Sequence, residues 1–168
     1  MEIADLLVEQ YKRINEEVDH VLTGLDDEAL GARIDPDANS IAWLIWHLTR
    51  VLDHLVEKFD VEQVWIAQGW YQRFGLPFPV NDDGYGHTAD QVGALSSVPA
   101  ELLRGYHEAT WQEARTHLST LTPKDLDRIV DTRWTPAVTL GVRLASVLSD
   151  DLQHVGQAAY VRGILERR

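Results

Sequence analysis

The chain has 168 residues, enough for one domain with a sizeable core, and its 45% apolar and 25% charged composition is that of a folded globular protein rather than a disordered one. A net charge of −12 argues against nucleic acid as a partner, because residues 1–37 carry 11 acidic against 3 basic side chains and would repel phosphate. No cysteine is present, so disulfides, thiolate zinc sites and a protein thiol nucleophile are excluded, and any thiol chemistry needs a small-molecule thiol.

The N-terminus, MEIADLLVEQYKR, lacks the basic-then-apolar pattern of a signal peptide, and no apolar run approaches the length of a membrane span. The expected location is the cytoplasm. Apolar residues recur at helical spacing over residues 3–25: Ile3, Leu7, Tyr11, Ile14, Val18, Val21 and Leu25. Gly24 and the polar stretch LDDEALGARIDPDANS interrupt the pattern. Asn39 or Ser40 is suited to cap a second helix over residues 40–59, with Ile41, Leu44, Leu48, Val51 and Leu55 inward.

Residues 60–98 are rich in Gly, Pro and aromatics and read as an ordered loop, of the kind that serves as a lid or binding element. Thr88 is placed to cap a short helix over ADQVGAL. Pro99 fits the first turn of a third long helix reaching residue 120, with Leu103, Tyr106, Thr110, Ala114 and Leu118 inward. After a second connection holding Pro123 and Pro136, a fourth helix starts near Thr139 and runs almost to the end. Four long amphipathic helices without strand-like alternation predict an all-α four-helix bundle, a single domain over residues 1–168. The long connection between the second and third helices permits a crossover, so simple up-down order is not forced.

The residues that break the apolar pattern carry the functional signal. His154 lies on both apolar seams of the fourth helix, Asp150 flanks it one turn before, and Asp151 flanks the other side. One of the two aspartates is expected beside His154 and the other in solvent. His47 sits next to the seam of the second helix, one turn from Trp43. Burial of such groups is costly unless they are paired. A buried Asp–His hydrogen bond satisfies the pattern; so does a divalent metal held by one His and by a carboxylate and His at i, i+4, with positions left for water or substrate.

His54 follows His47 by two turns, roughly 10 Å along the axis, too far to share an ion. It reads as a pocket residue or an exposed helix-end residue. His20 lies off the seam and reads as solvated. His107 and His117 lack a visible partner, and His87 lies in the long loop. Of the six tryptophans, Trp43, Trp46 and Trp111 fit core positions, Trp65 and Trp70 flank the long loop, and Trp134 falls in a connection.

NSIAWLIWHLTRVLDH (39–54), followed by DDLQHVGQAAYVRG (150–163), resembles the DinB superfamily, bacterial four-helix proteins that include the mycothiol-dependent maleylpyruvate isomerases and related thiol transferases. The resemblance implies an up-down-down-up bundle with a long crossover after the second helix. It also implies a divalent metal, zinc or nickel, on His47, Asp150 and His154. Where many members have His and the mycothiol isomerases Glu, this chain has Asp150, one methylene shorter, with Asp151 as the alternative carboxylate. A metal-bound thiol is deprotonated, and the thiolate is the nucleophile. The implied activity is transfer of a low-molecular-weight thiol to an electrophilic small molecule, with His54 moving a proton and Arg162 meeting an acidic group. The mycothiol isomerases carry a further C-terminal domain, so the substrate is left open. Metal-dependent hydrolysis and a non-catalytic binding or stress role are the other readings, and a homodimer is compatible with bundles of this kind.

Overall fold

The computed structural model describes residues 1–167 and is mostly helical. Four long helices carry the core: α1 (Ile3–Leu22), α3 (Ile41–Val56), α7 (Ala100–Leu118) and α8 (Leu140–Leu165). Four short ones lie between them: α2 (Asp27–Gly31), α4 (Val64–Ala67), α5 (Trp70–Phe74) and α6 (Ala89–Gly93). A two-stranded antiparallel sheet pairs β1 (Ile129–Asp131) with β2 (Val138–Thr139). α3 packs on α7 and α8, and α1 packs on the same two helices. Among the described residues, no helix is long and apolar enough to cross a membrane.

The caps expected at Ser40 and Thr88 are in place, and Thr139 caps α8 in the same way: each accepts a hydrogen bond from the backbone N–H three residues on, which satisfies a free donor at the helix start. Pro99 occupies the cap itself, one residue before the first turn of α7. The first helix stops three residues short of its expected end, where Gly24 takes a φ of +80°. Leu103, Tyr106, Thr110, Ala114 and Leu118 are all buried, as the spacing predicts. The short helix expected after Thr88 is α6, but the connection over 60–98 also holds α4 and α5, and neither these nor the small sheet were expected. These elements are too short to display a helical or alternating period.

α3 is apolar nearly all round, and such a helix must be covered nearly all round. Fourteen of its residues are buried; Val51 and His54 are the exceptions. The long crossover provides the cover, and a buried cation fastens it. The guanidinium of Arg50 is fully buried. It donates to the backbone oxygens of Asp82 (3.0 Å) and Val80 (3.4 Å), to Gln63 Oε1 (2.9 Å) and Tyr106 Oη (3.1 Å), and pairs with Asp53 (3.4 Å). Asp53 in turn accepts from the N–H groups of Val64 and Trp65 at 2.8 Å each, and so caps α4, and from Tyr106 Oη–H at 2.8 Å. A charge taken out of water is tolerated only when it is paired and its hydrogen bonds are met, and here the partners come from α3, α7 and the crossover.

His107 is buried against α3. Thr49 Oγ donates to the backbone oxygen of Ile45 (2.7 Å) and therefore accepts from His107 Nδ1–H (2.9 Å), while His107 Nε2 has no partner. Burial lowers its pKa to about 4.

Two outcomes are expected. Replacement of Arg50 by Met strands the Asp53 carboxylate and should cost about 3–5 kcal/mol in urea unfolding. Below the ordinary histidine pKa the unfolded chain protonates His107 and the folded one does not until about pH 4. Its contribution is thus full above that range and falls with pH, by about 3 kcal/mol on reaching pH 4. Urea titrations from pH 7 to 4 should show this component in the parent and not in His107→Leu.

Candidate metal centre

Two long helices present the polar residues that the sequence singled out. His47 lies on α3; Asp150 and His154 lie one turn apart on α8. Asp150 Oδ2 is 3.7 Å from the Nε2 of each histidine, and the three ligand atoms all lie within 4.8 Å of one another. The two imidazoles meet edge to face at 4.7 Å, and the Trp43 ring stacks on His47 at 4.7 Å.

The outer nitrogens of both rings are committed. A carbonyl oxygen only accepts, so His47 Nδ1–H donates to the backbone oxygen of Asp83 and His154 Nδ1–H to Gln157 Oε1 (3.0 Å). Each ring is thereby held as the tautomer whose bare Nε2 faces the carboxylate. Two nitrogen lone pairs and a carboxylate oxygen converge with no proton between them, and Asp150 Oδ2 is shielded from water without a hydrogen-bond partner. A cation resolves this arrangement. Bonds of about 2.0–2.2 Å from one ion to N and O ligands place neighbouring ligand atoms about 3.0–3.6 Å apart, close to the 3.7 Å from the carboxylate to each imidazole, so the donor set fits a divalent metal. Burial lowers the pKa of His47, outweighing the hydrogen bond it donates to Asp83 and the nearby carboxylates, and keeps the ring neutral as a ligand must be. The His47 side chain is 6% exposed and that of Asp150 38%, so the centre is closed on the α3 side and open beside the carboxylate.

The crossover holds His47 in place through a tight backbone approach. Gly84 has a φ of +93°, and a Cβ there would lie 3.0–3.1 Å from His47 Nδ1 and from ring carbons of Trp43 and Trp46. His87 does not face the centre. Its Nδ1 accepts from Trp43 Nε1–H (3.1 Å), its Nε2–H donates to Asp82 Oδ1 (3.0 Å), and its ring stacks on Trp46, which pins the loop to α3.

Of the paired aspartates, Asp150 is the one at the cluster. The shorter side chain reaches because α3 and α8 pack directly on each other. Asp151 is not solvated as expected: it points into the core with both oxygens unpartnered, and burial, then the Asp150 charge, lifts its pKa well above the carboxylate range. His54 stands apart from the three ligands, in a cleft where Gln63 Nε2–H donates to its Nδ1 (3.1 Å). Arg162 is not brought to the cluster. Its guanidinium donates to the backbone oxygens of His20, Val21 and Thr23 and to Glu166, closing the C-terminal end of α1. His20 is exposed, and His117 pairs with Glu113. Sequence reasoning missed Asp83 and Gly84. Asp-Asp-Gly marks a turn, but nothing in it tells which carbonyl meets His47.

The DinB superfamily profile matches residues 10–158, and the chain belongs to that superfamily. A crystal structure described as the conserved protein of locus from Enterococcus faecalis superposes with a TM-score of 0.90 at 27% identity, over 100% of this chain and 99% of that one. No curated protein matches the chain. The superfamily is metal-binding in general, and His47, Asp150 and His154 form a group that could hold such an ion.

Gln157 touches the centre only through His154. Gln157→Ala should leave the fold intact and weaken zinc binding about 10–100-fold, measured by competition with a chelating indicator.

Proposed function

We propose that this chain is an up-down-down-up four-helix bundle that holds zinc or nickel on His47, Asp150 and His154 and transfers a low-molecular-weight thiol to an electrophilic small molecule. Contacts along the helices support the bundle order. Tyr11 with Leu144 and Thr23 with Arg162 run α1 and α8 in one direction. Asp19 with Arg104, and Lys12 and Glu16 beside Trp111 and Arg115, run α7 against α1; Thr49 with His107 and Phe59 with His117 run it along α3.

The observation that carries the function is the convergence of two bare Nε2 atoms and one unpartnered carboxylate oxygen at a centre open on one side. Three protein ligands leave room for an exogenous one, and a chain without cysteine must draw its thiol from solution. The cation would supply acidification of a thiol taken up beside it. The chain's own groups do the rest. Asp83 and Gln157 fix the two imidazoles, and Trp43 walls them from water. Gln63 fixes the tautomer of His54. Its Oε1 accepts from Arg50, so its amide N–H faces His54 Nδ1, and His54 Nε2–H is buried without an acceptor at the edge of the cleft, 3.9 Å from Asp83 Oδ2. Burial, followed by the Arg50 charge, lowers the pKa of His54 and keeps it neutral. It is thus suited to donate a hydrogen bond from Nε2–H to an electrophile gaining negative charge.

The experiment begins with mass spectrometry on protein purified without tag or chelator. About one divalent ion per chain is expected in the parent and almost none in His154→Ala. Thiols are then screened against electrophiles. An empty parent that refuses zinc and nickel sinks the metal reading, and turnover without thiol replaces thiol transfer by hydrolysis.

A further inference from the structure

A cleft of about 590 Å³ lies between α3 and α8 and is roofed by the crossover and β1. It opens where α3 is left uncovered, at Val51 and His54. Val51 is one turn from His47, and Val147 one turn from Asp150, so the cleft continues the groove in which the metal-ligand group sits. Its volume suits a small molecule.

At the end away from that group, two arginines share one carboxylate. Asp131 accepts from Arg133 Nε (3.0 Å) and Nη2 (2.8 Å) and from Arg143 Nη2 (3.0 Å). Two cations against one anion leave this end with an excess positive charge. Arg143 Nε–H is buried and has no acceptor. A guanidinium with a free, desolvated N–H beside a second guanidinium is suited to a planar carboxylate. Arg143 precedes Asp150 by seven residues on α8, two turns on one face, which sets the two roughly 10 Å apart along the axis. Val51, Leu55 and Val147 give the stretch between them an apolar floor, while Gln63, Asn81 and Asp83 make its crossover side polar.

We propose that this cleft is the substrate site and that Arg143, assisted by Arg133, binds a carboxylate about two helical turns from the reacting group of an elongated small molecule that lays an apolar face on Val51, Leu55 and Val147. The placement of the reacting group rests on the metal reading above; the carboxylate site does not.

Hexanoate is therefore the probe, with hexanol as the uncharged control of equal length. Both are titrated into the full chain, metal-free and zinc-loaded, and followed by NMR at the arginine Nε–H and at the cleft backbone amides, while zinc binding is measured separately by calorimetry. Hexanoate is expected to shift Arg143 Nε–H and the amides of Val51 and Val147 saturably in both forms, and hexanol to bind about tenfold more weakly or less. Arg143→Gln should lose about tenfold in hexanoate affinity and still take zinc as the parent does. Equal binding of acid and alcohol, or unchanged hexanoate binding in Arg143→Gln, overturns the proposal. Failure to bind zinc overturns the metal reading alone. Should Arg143→Gln lose its helical circular dichroism, Arg143→Lys decides: it keeps the charge and loses the Nε–H, so weaker binding supports the site and unchanged binding refutes it.

Discussion

A guanidinium buried to zero exposure is the constraint on which the rest of this structure depends. Arg50 cannot stay charged in the interior unless its donors are met, and too few acceptors exist on α3 alone. The crossover supplies most of them, with Gln63, Val80 and Asp82 drawn to one point. Once Asp82 is held there, Asp83 follows onto His47, and Gly84 follows into the gap between Trp43 and Trp46. A single cation on the second long helix thus sets the path of a long connection and, through it, the orientation of the His47 ring. Replacing buried ion pairs by apolar residues is often tolerated in stability terms; here the pair's evident product is position, since an apolar side chain has no means of selecting one loop path.

The same covering decides where chemistry can occur. α3 would be sealed on every side were Val51 and His54 also roofed. They are the two residues left open, and the cleft forms over them. On the α8 side the ligands are held by neighbours on their own helix, with Gln157 one turn from His154, whereas on the α3 side the hold comes from a loop carbonyl far along the chain. The centre therefore joins one locally positioned half to one tertiary half.

This difference explains what could be read in the sequence. Tyr11, Ile14, Leu103, Leu118 and Leu144 announce their helices because long elements repeat their apolar spacing several times. The i, i+4 relation of Asp150 and His154 is a property of α8 itself and was equally legible. Spacing alone could not separate Asp150 from Asp151, since both border the seam, and it missed that Asp151 would be buried with no partner. Nor could it pair Arg50 with Asp82, or Arg143 with Asp131, because these contacts depend on where two connections land. Arg162 lies two turns beyond His154 on α8, but the free carbonyls at the end of α1 hold it.

The ligand group also has a topological meaning. His47 stands in the first third of the chain and Asp150 and His154 near its end, so an ion shared among them would act as a reversible cross-link closing a loop of roughly 100 residues. The unfolded chain would lose much of its freedom for as long as that link held. Because the two anchoring helices run past each other at this level, the link would resist their sliding as well as their separation. Occupancy of the centre would then govern how tightly the groove between α3 and α8 is clasped, and the width of that groove is the width of the cleft.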